Sequence, residues 1–395
     1  RRTAPHRLNM GRGRVAARAE IDPFLVMELV AATSAHESQH GAAIHLEVGQ
    51  PAGGAPRLAT EAAIEVLRSG DPLGYTDACG LPALRSRIAR EYAHRYGVDI
   101  DASRVIVTVG ASGACLLGLL AAFAPGERIA VTEPGYPCYR QMLHAFGLEA
   151  VALRVDAATG YAPTTAHLDA AGPIDGLLLA SPANPTGAVL SEGDWGAIGR
   201  WCNEHDVQIV SDEIYHGIVY GEPAHTALSV APDAIVIGSF SKYFAMTGWR
   251  LGWIVVPGHL AEPVDRLSQN LVLAPPTLAQ HVGLAAFDAT DELDRRVAGY
   301  RANRDALAAT LHEIGVIDLA PSDGAFYLYG SVEHWGVPAL DLSRIWLDEL
   351  GVAVAPGNDF DPVDGHRFMR WSYATSPDAV GEACRRFRSW ASARS

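Results

Sequence analysis

The chain has 395 residues, more than one hydrophobic core usually serves, so its length predicts two lobes. Apolar residues make up 49% and charged residues 19%, a balance typical of a globular protein with a large core. The formal net charge of −14, from 31 basic and 45 acidic residues, argues against a nucleic-acid-binding or anionic-membrane surface.

Residues 1–21 are rich in arginine and show little apolar periodicity, which predicts a flexible, solvated arm without the apolar stretch of a signal peptide. No apolar run is long enough to cross a bilayer. The five cysteines are widely spaced, odd in number and never in a CxxC pair, which fits neither a disulfide framework nor a zinc ribbon. We therefore expect a soluble protein of the reducing cytoplasm, with no membrane or nucleic-acid partner.

Two helices are predicted in the first part of the chain. Asp22 and Pro23 predict the N-cap and the first residue of an apolar helix that runs to Val30. A second helix follows Leu81 and places apolar residues at positions 84, 88 and 92 on one face.

From Arg104 onward, short apolar strands alternate with amphipathic helices and are joined by turns of a few residues. This alternation predicts a mostly parallel sheet covered by helices on both faces. The predicted strands are 105–109, 129–131, 177–180, 207–210, 235–237 and 251–256, and the predicted helices are 114–123, 141–146 and 195–204.

Beyond about residue 291 the pattern changes to one long polar helix, followed by short strands near 326–328 and 352–354. This change indicates a second lobe. We expect an α/β fold in which a large domain, 50–288, holds the mostly parallel sheet. The smaller α+β domain is expected to be built from both chain ends, 22–49 and 289–395.

Lys242 lies just after the predicted strand 235–237, in the segment Ser239-Phe240-Ser241-Lys242. Sheets of this kind bind ligands at the carboxyl ends of their strands. A lysine there, flanked by hydroxyls and partly buried, has a lowered pKa and can act as a nucleophile in imine chemistry. One such lysine is weak evidence, because most lysines are solvated surface charges.

Asp212 and Glu213 follow the predicted strand 207–210 directly. A carboxylate at that strand end can pair with a pyridinium nitrogen and keep it protonated, so that the ring withdraws electrons. The pair could also bind a divalent metal, but no third or fourth ligand stands at a convincing spacing.

Two further strand ends carry turns suited to a ligand. Residues 110–114 (GASGA) are small, so backbone amides can approach an anion at the start of the next helix. They match neither GxGxxG nor GxxxxGK(S/T), which favours a single phosphate group over a dinucleotide or a triphosphate. Residues 181–187 (SPANPTG) predict a rigid loop in which Asn184 presents its amide.

At these residues the sequence resembles the class I/II aminotransferases of the fold-type I superfamily, which use pyridoxal 5′-phosphate (PLP). The matching motifs stand in the family's order from about residue 22 to the C-terminus. They are VGQP (48–51), GYTDACGLPALR (74–85), GASGA (110–114), EPGYPCY (133–139), NPTG (184–187), SDEIY (211–215), SFSKYFAMTGWRLGW (239–253), QNLVLAPPTLAQ (269–280), DGAFYLY (323–329) and RWSYATS (370–376).

The resemblance implies that Lys242 holds PLP as a Schiff base and later moves the Cα proton of the substrate. It implies that Asp212 pairs with the pyridine nitrogen and that Asn184 and Tyr215 hydrogen-bond the phenolic oxygen of the ring. Tyr136 is expected to stack on the ring, where well-known aspartate-specific members carry tryptophan. That departure should leave the reaction class unchanged.

The same resemblance implies a phosphate site formed by Ala111, Ser112, Ser239 and Arg250, with the arginine in a bidentate contact. Tyr75 resembles the tyrosine that reaches the phosphate of the neighbouring subunit, which implies a homodimer.

The substrate side is expected from Arg370, which resembles the arginine that binds the α-carboxylate, together with Gly49 and Asn184. The implied reaction transfers an amino group between an L-amino acid and a 2-oxo acid by a ping-pong mechanism. Lyases, decarboxylases and cyclopropane-forming synthases on the same scaffold remain alternatives, since fold and cofactor alone do not exclude them. The identity of the amino donor stays open.

Residues 36–40 spell HESQH, a literal HExxH zinc-hydrolase motif. Gly41 follows at once and predicts the end of the helix, so a solvated helix end is the preferred interpretation and a zinc hydrolase a distant alternative. A PLP-sensing transcription regulator is disfavoured, because such regulators carry an N-terminal winged helix and only about twenty residues precede the first predicted helix.

Overall fold

The computed structural model of the protein describes residues 15–394. Five of the six arginines of the predicted N-terminal arm (Arg1, Arg2, Arg7, Arg12 and Arg14) lie outside the described residues. Arg18 belongs to a short, exposed 3-10 helix, Ala17–Ala19. Within the described part of the chain, no helix combines the length and the hydropathy needed to cross a membrane.

The described residues form eleven β-strands and twelve α-helices. The strands are β1 (Ile44–Leu46), β2 (Val105–Thr108), β3 (Arg128–Glu133), β4 (Glu149–Arg154), β5 (Gly176–Ala180), β6 (Gln208–Asp212), β7 (Ile235–Ser239), β8 (Gly252–Val255), β9 (Tyr327–Ser331), β10 (Val352–Pro356) and β11 (Phe368–Ser372). The helices are α1 (Leu25–His40), α2 (Arg57–Ser69), α3 (Pro82–Tyr96), α4 (Gly110–Ala122), α5 (Pro137–Phe146), α6 (Thr165–Ala171), α7 (Glu192–Glu204), α8 (Gly258–Leu271), α9 (Thr277–Ala286), α10 (Thr290–Glu313), α11 (Ala339–Leu350) and α12 (Pro377–Ser392).

The larger sheet has seven strands in the order β2-β8-β7-β6-β5-β3-β4. Only the two pairs that involve β8 are antiparallel, so the predicted mostly parallel sheet of an α/β fold is confirmed. All five residues of β7 are buried, as expected for an apolar strand with both faces covered. Because parallel strands point the same way, the carboxyl ends of β2, β3, β5, β6 and β7 meet at one edge.

The smaller sheet has four strands in the order β1-β10-β11-β9. Residues 44–46 of β1 pair in parallel with residues 352–354 of β10, while β11 pairs antiparallel with both of its neighbours. The two ends of the chain therefore share one sheet. The sequence pattern predicted neither β1, which is only three residues long, nor β11, whose residues 368–372 include a central arginine.

The start of α1 differs from the prediction. The helix begins at Leu25, and the predicted cap, Asp22, is exposed and hydrogen-bonds Gln141. The backbone N–H groups of Leu25 and Val26 instead donate to the carboxylate of Asp359. Local sequence could not reveal this cap, because the acceptor comes from the far end of the chain.

Candidate active site

A cavity of about 340 Å³ opens at the carboxyl edge of the larger sheet and is also lined by residues of the smaller sheet. Ten of the twelve site residues expected from the sequence line this cavity, and Ser239 and Tyr75 do not. The ten are Gly49, Ala111, Ser112, Tyr136, Asn184, Asp212, Tyr215, Lys242, Arg250 and Arg370.

Lys242 follows β7 and extends its amine into the cavity, where Nζ donates to the backbone carbonyl of Gly49 at 2.6 Å. Burial lowers the pKa of this amine to about 8, and the positive charges of Arg370 and Arg250 act in the same direction. A neutral amine is the nucleophilic form, so the lowered pKa raises the fraction of Lys242 that can take part in imine chemistry near neutral pH.

Asp212 is the last residue of β6 and is buried. Its Oδ2 accepts a hydrogen bond from the Tyr139 hydroxyl at 2.6 Å, and its Oδ1 accepts one from the Ile214 backbone at 3.1 Å. Burial raises the pKa of the Asp212 carboxyl, while the Tyr139 bond and the charge of Lys242 oppose that rise. Such a carboxyl gains from a cationic partner, and a pyridinium nitrogen is one.

Glu213 turns away from the cavity. Its Oε1 accepts hydrogen bonds from the Ser211 hydroxyl, the Thr226 hydroxyl and the Ala227 backbone at 2.9–3.1 Å. Asp212 and Glu213 therefore do not converge on one metal ion, which removes that interpretation of the pair. Among residues 15–394, no group of three or more His, Cys, Asp or Glu side chains is placed to hold a metal.

Two phenols, Tyr215 and Tyr327, also line the cavity, and Nζ of Lys242 lies 5.9 Å from the centroid of the Tyr215 ring. The hydroxyls of Tyr215 and Tyr327 are 2.8 Å apart, and burial raises the pKa of both above the ordinary value, so both remain neutral and can donate. The backbone at Gly49 lies directly against Tyr327, and a Cβ added there would clash with its Oη. This close approach explains why position 49 carries glycine.

Arg370 lies within β11 and is only 2% exposed. Its Nη1 donates to Oδ1 of Asn184 at 3.1 Å, its Nη2 donates to the Glu47 carbonyl, and its Nε has no acceptor among the described residues. The guanidinium lies over the rings of Tyr327 and Phe360 at 4.4 and 4.7 Å. No described carboxylate forms an ion pair with it. A buried, positively charged group with an unused donor suits a substrate carboxylate.

The N-terminus of α4 forms an anion-binding end of the cavity. GASGA is the first turn of this helix rather than a loop before it, and Gly110 has a left-handed φ of +70°. A Cβ at Gly110 would come within 2.7 Å of Nη2 of Arg250, so glycine lets the guanidinium lie beside the helix start. Backbone amides at Ala111 and Ser112 and an arginine fork together suit a phosphate.

The structure does not bring Ser239 into the cavity. Its hydroxyl donates to Oγ of Ser241 at 3.0 Å and lies 3.4 Å from the carbonyl of Leu251, behind the wall that Ser241 and Lys242 form. The chain bends at residues 240–242, after β7 ends at Ser239, and Ser241 is the member of the pair that lines the cavity. Tyr75 is 84% exposed on the surface and lies outside the cavity of its own chain.

Two aromatic residues of this site were missed at the sequence level. Tyr136 is the N-cap residue of α5 and Tyr139 lies in its first turn, and the two rings pack edge to face at 5.2 Å. The i, i+3 spacing within EPGYPCY was the available signal, because it places both rings on one helix face. Tyr327 lay in the DGAFYLY motif, but no role was assigned to it.

The HExxH segment lies at the end of α1, and Gly41 ends that helix as predicted. The His36 and His40 rings stack at 4.5 Å. Glu37 accepts a hydrogen bond from the Ala43 backbone at 3.1 Å and lies 3.4 Å from Nε2 of His45. The segment lies outside the cavity that contains Lys242.

The residues of the cavity fit PLP in kind. The amine of lowered pKa suits the aldehyde, and the buried acid suits the pyridine nitrogen. The neutral phenols suit the phenolic oxygen, and the helix N-terminus beside an arginine suits the phosphate. The glycine at position 110 keeps open the space beside Arg250 that a side chain would fill.

A sequence model described as "Aminotransferase class I and II" matches residues 42–387. The chain is 43% identical over 382 residues to a valine–pyruvate aminotransferase of Mycobacterium tuberculosis, an alignment that covers 95% of this chain and 98% of the relative.

Solved structures are similar over the same length. A crystal structure of an aminotransferase from Mycobacterium tuberculosis has a TM-score of 0.93 and 42% identity, covering 96% of this chain and 99% of that chain. Aspartate aminotransferase from Thermus thermophilus with maleate has a TM-score of 0.89 and 29% identity, covering 95% and 98%.

Proposed function

Because the chain belongs to the class I and II aminotransferases and moves amino groups between amino acids and 2-oxo acids with PLP, we propose that its amino donor is an apolar L-amino acid of about valine's size. The acceptor in this proposal is a short monocarboxylic 2-oxo acid such as pyruvate. The name of the Mycobacterium tuberculosis relative, a valine–pyruvate aminotransferase, supports the same pair.

The observation that carries the proposal is the charge of the cavity wall. Three lining residues of this chain are cationic, Lys242, Arg250 and Arg370. In our proposal each of them is used by a group that the cofactor or every substrate presents. Among the described residues, no further lining cation is left for a side-chain carboxylate. The remaining wall is largely apolar and includes Phe24, Val26, Met27, Val48 and Met142. Such a wall favours an apolar side chain over a charged one.

PLP, when bound, supplies an electron-withdrawing ring that weakens the bonds at the substrate Cα. In our proposal Asp212 keeps the pyridine nitrogen protonated, and Tyr215 and the amide of Asn184 donate to the phenolic oxygen. The Asn184 Oδ1 already accepts from Arg370, so its NH₂ group is the part that remains to donate.

The substrate is held by Arg370, whose planar guanidinium can bind both oxygens of the α-carboxylate and so orient the Cα–H bond. The neutral Nζ of Lys242 would take the proton from the substrate Cα and would donate a proton to the aldehyde carbon of the cofactor. Arg250, Ser241 and the first turn of α4 would hold the phosphate, and Tyr136 would pack on the ring. Since the two substrates use one site in turn, we expect ping-pong kinetics.

We also propose a homodimer in which Tyr75 reaches the partner's phosphate. The side chain of Tyr75 is 84% exposed, and those of Leu271 and Leu273 are 61% and 50% exposed. The Thr277 hydroxyl donates to the Gly74 carbonyl, so the start of α9 contacts the segment that carries Tyr75. Exposed aromatic and aliphatic side chains suit a two-fold interface. Tyr75→Phe should weaken PLP binding about tenfold without dissociating the dimer, and a fully active monomer in sedimentation would contradict the assembly.

Two further proposals concern organisation and location. The shared small sheet supports a division into a large domain, 50–288, and a small domain formed by 22–49 and 289–395. All five cysteines lie in the described residues and none forms a disulfide, which supports a cytoplasmic location.

A panel of amino donors tests the proposed specificity. With pyruvate as acceptor, kcat/KM for valine should exceed that for aspartate by at least about 100-fold, because no described lining cation of this chain is left for the aspartate side-chain carboxylate. Equal or better turnover of aspartate would overturn the proposal while leaving the family assignment intact.

A further inference from the structure

The first turn of α1 forms part of the cavity wall, since Phe24, Val26 and Met27 all line it. The first N–H groups of any helix have no partner within the helix. In α1 the N-cap residue is Phe24, whose side chain cannot accept a hydrogen bond. Asp359 supplies the missing acceptors: its Oδ1 accepts from the Leu25 N–H at 3.0 Å and its Oδ2 from the Val26 N–H at 2.8 Å.

Asp359 is itself firmly held. It ends a short 3-10 helix, Gly357–Asp359, and is 6% exposed. Its backbone carbonyl accepts a hydrogen bond from Nη2 of Arg140 at 2.9 Å. This bond connects the loop to α5, which follows β3 of the larger sheet. The next residue, Phe360, lies under the Arg370 guanidinium at 4.7 Å. One loop therefore contacts α1, α5 and Arg370.

We infer that Asp359 is a positioning residue that sets the apolar wall of the substrate site relative to Arg370. The inference rests on the proposed function, in which Arg370 holds the α-carboxylate and the start of α1 contacts the donor's side chain. A fixed distance between these two elements selects donors by the length and width of the side chain. Asp359 touches no reacting atom; it acts through the backbone of Leu25 and Val26.

The chemistry of the contact explains why an acid stands there. A carboxylate offers acceptors on both oxygens, and two adjacent N–H groups at the positive end of a helix dipole need both. Burial raises the pKa of the Asp359 carboxyl, whereas the two N–H groups and the charges of Arg370 and Arg140 act in the opposite direction. Asparagine has the same shape but only one acceptor, so it can satisfy only one of the two donors.

The first measurement does not depend on catalysis. Amide hydrogen exchange at Leu25 and Val26 should become about tenfold faster or more in Asp359→Ala than in the wild-type holoenzyme, with Asp359→Asn in between. Asp22→Ala is the matched control, because Asp22 also stands at the start of α1 but is exposed and bonds Gln141 instead of the helix. It should leave exchange at both amides unchanged.

The second measurement is donor selection. In Asp359→Ala, the ratio of kcat/KM for valine to that for alanine should fall about tenfold, mainly through a higher KM for valine, and Asp359→Asn should give a smaller fall. Near-ultraviolet circular dichroism and PLP absorbance check that both variants fold and bind the cofactor.

Two outcomes would overturn the inference. Unchanged exchange at Leu25 and Val26 would show that Asp359 does not hold α1. Faster exchange together with an unchanged valine-to-alanine ratio of kcat/KM would show that Asp359 caps the helix but does not affect donor selection. The proposed function fails separately, if the wild-type enzyme does not prefer valine to aspartate, and amide exchange then still decides whether Asp359 holds the helix.

Discussion

The two sides of the cavity are built in different ways. On the cofactor side, Asn184, Asp212 and Lys242 each stand at the end of their own strand, β5, β6 or β7, and these strands are neighbours in the larger sheet. On the substrate side, Arg370 in β11 and the start of α1 are joined through Asp359, whose carboxylate bonds a backbone amide 333 residues away. The first side depends on sheet topology, and the second on individual contacts.

Substitutions on the two sides should therefore have different effects. Changes on the cofactor side should affect PLP capture and the chemistry with every donor. Changes on the substrate side should leave PLP in place and alter the binding or selection of donors. Four experiments test that division.

The largest effect is expected at Lys242. Lys242→Ala should lose at least about 10⁴-fold in kcat with all donors, because the variant lacks the amine that moves the Cα proton. The measurement is single-turnover kinetics. In the wild-type protein, borohydride should fix the cofactor to Lys242, and peptide mapping that located it on another lysine would contradict the assignment.

The next largest effects are expected at Arg370 and Arg250, and they should differ in kind. Arg370→Lys should lose about 2–4 kcal/mol in kcat/KM equally for all donors, because an ammonium cannot make the paired contact, while PLP affinity barely changes. Arg250→Gln is the counterpart on the cofactor side and should weaken PLP binding measured by absorbance titration. Loss of bound PLP as the main defect of Arg370→Lys would remove Arg370 from the substrate side.

A smaller effect is expected at Tyr139. Tyr139→Phe removes a hydrogen bond that lowers the pKa of Asp212, so that carboxyl should protonate more readily and stabilise the pyridinium less. We expect a loss of about 1–2 kcal/mol in kcat, with donor selection unchanged. Tyr243→Phe is a suitable control, since its hydroxyl bonds Asp294 outside the cavity. A change in donor preference would contradict the division.

The smallest effect is a shift in a titration. In the PLP-free protein, the rate of acylation of Lys242 should rise with pH through a midpoint of about 8, because only the neutral amine reacts. Burial is the main cause of the lowered pKa of this amine. Arg370 lowers this pKa further, so Arg370→Gln should move the midpoint upward by roughly one pH unit. A midpoint near that of exposed lysines would show that the amine is not buried in solution.

The fold and most of the cofactor side could be predicted from the sequence. Lys242, Asp212 and Asn184 each come shortly after an apolar run, and parallel strands bring the residues at their carboxyl ends to one edge of the sheet whatever the details of packing. Ser239 shows the limit, because pattern alone does not say which of two serines, 239 or 241, faces the cavity. That choice depends on how the segment turns after β7.

The substrate side depended on tertiary structure. Asp22 was the expected cap of α1, since Asp-Pro is typical of an N-cap and the first residue of a helix. Asp359 provides that cap instead, because the small sheet brings the two chain ends together. The apolar lining by Phe24, Val26 and Met27 results from the same docking.

The sequence therefore predicted the α/β class from periodicity and strand order, which act locally and repeat along the chain, and it predicted the PLP chemistry from the resemblance of its motifs to a known family. Only the tertiary structure decided the wall that faces the donor side chain, because that wall consists of contacts between segments more than 300 residues apart. Such contacts leave no periodic signal, and their energies depend on geometry that arises only when both sheets have formed.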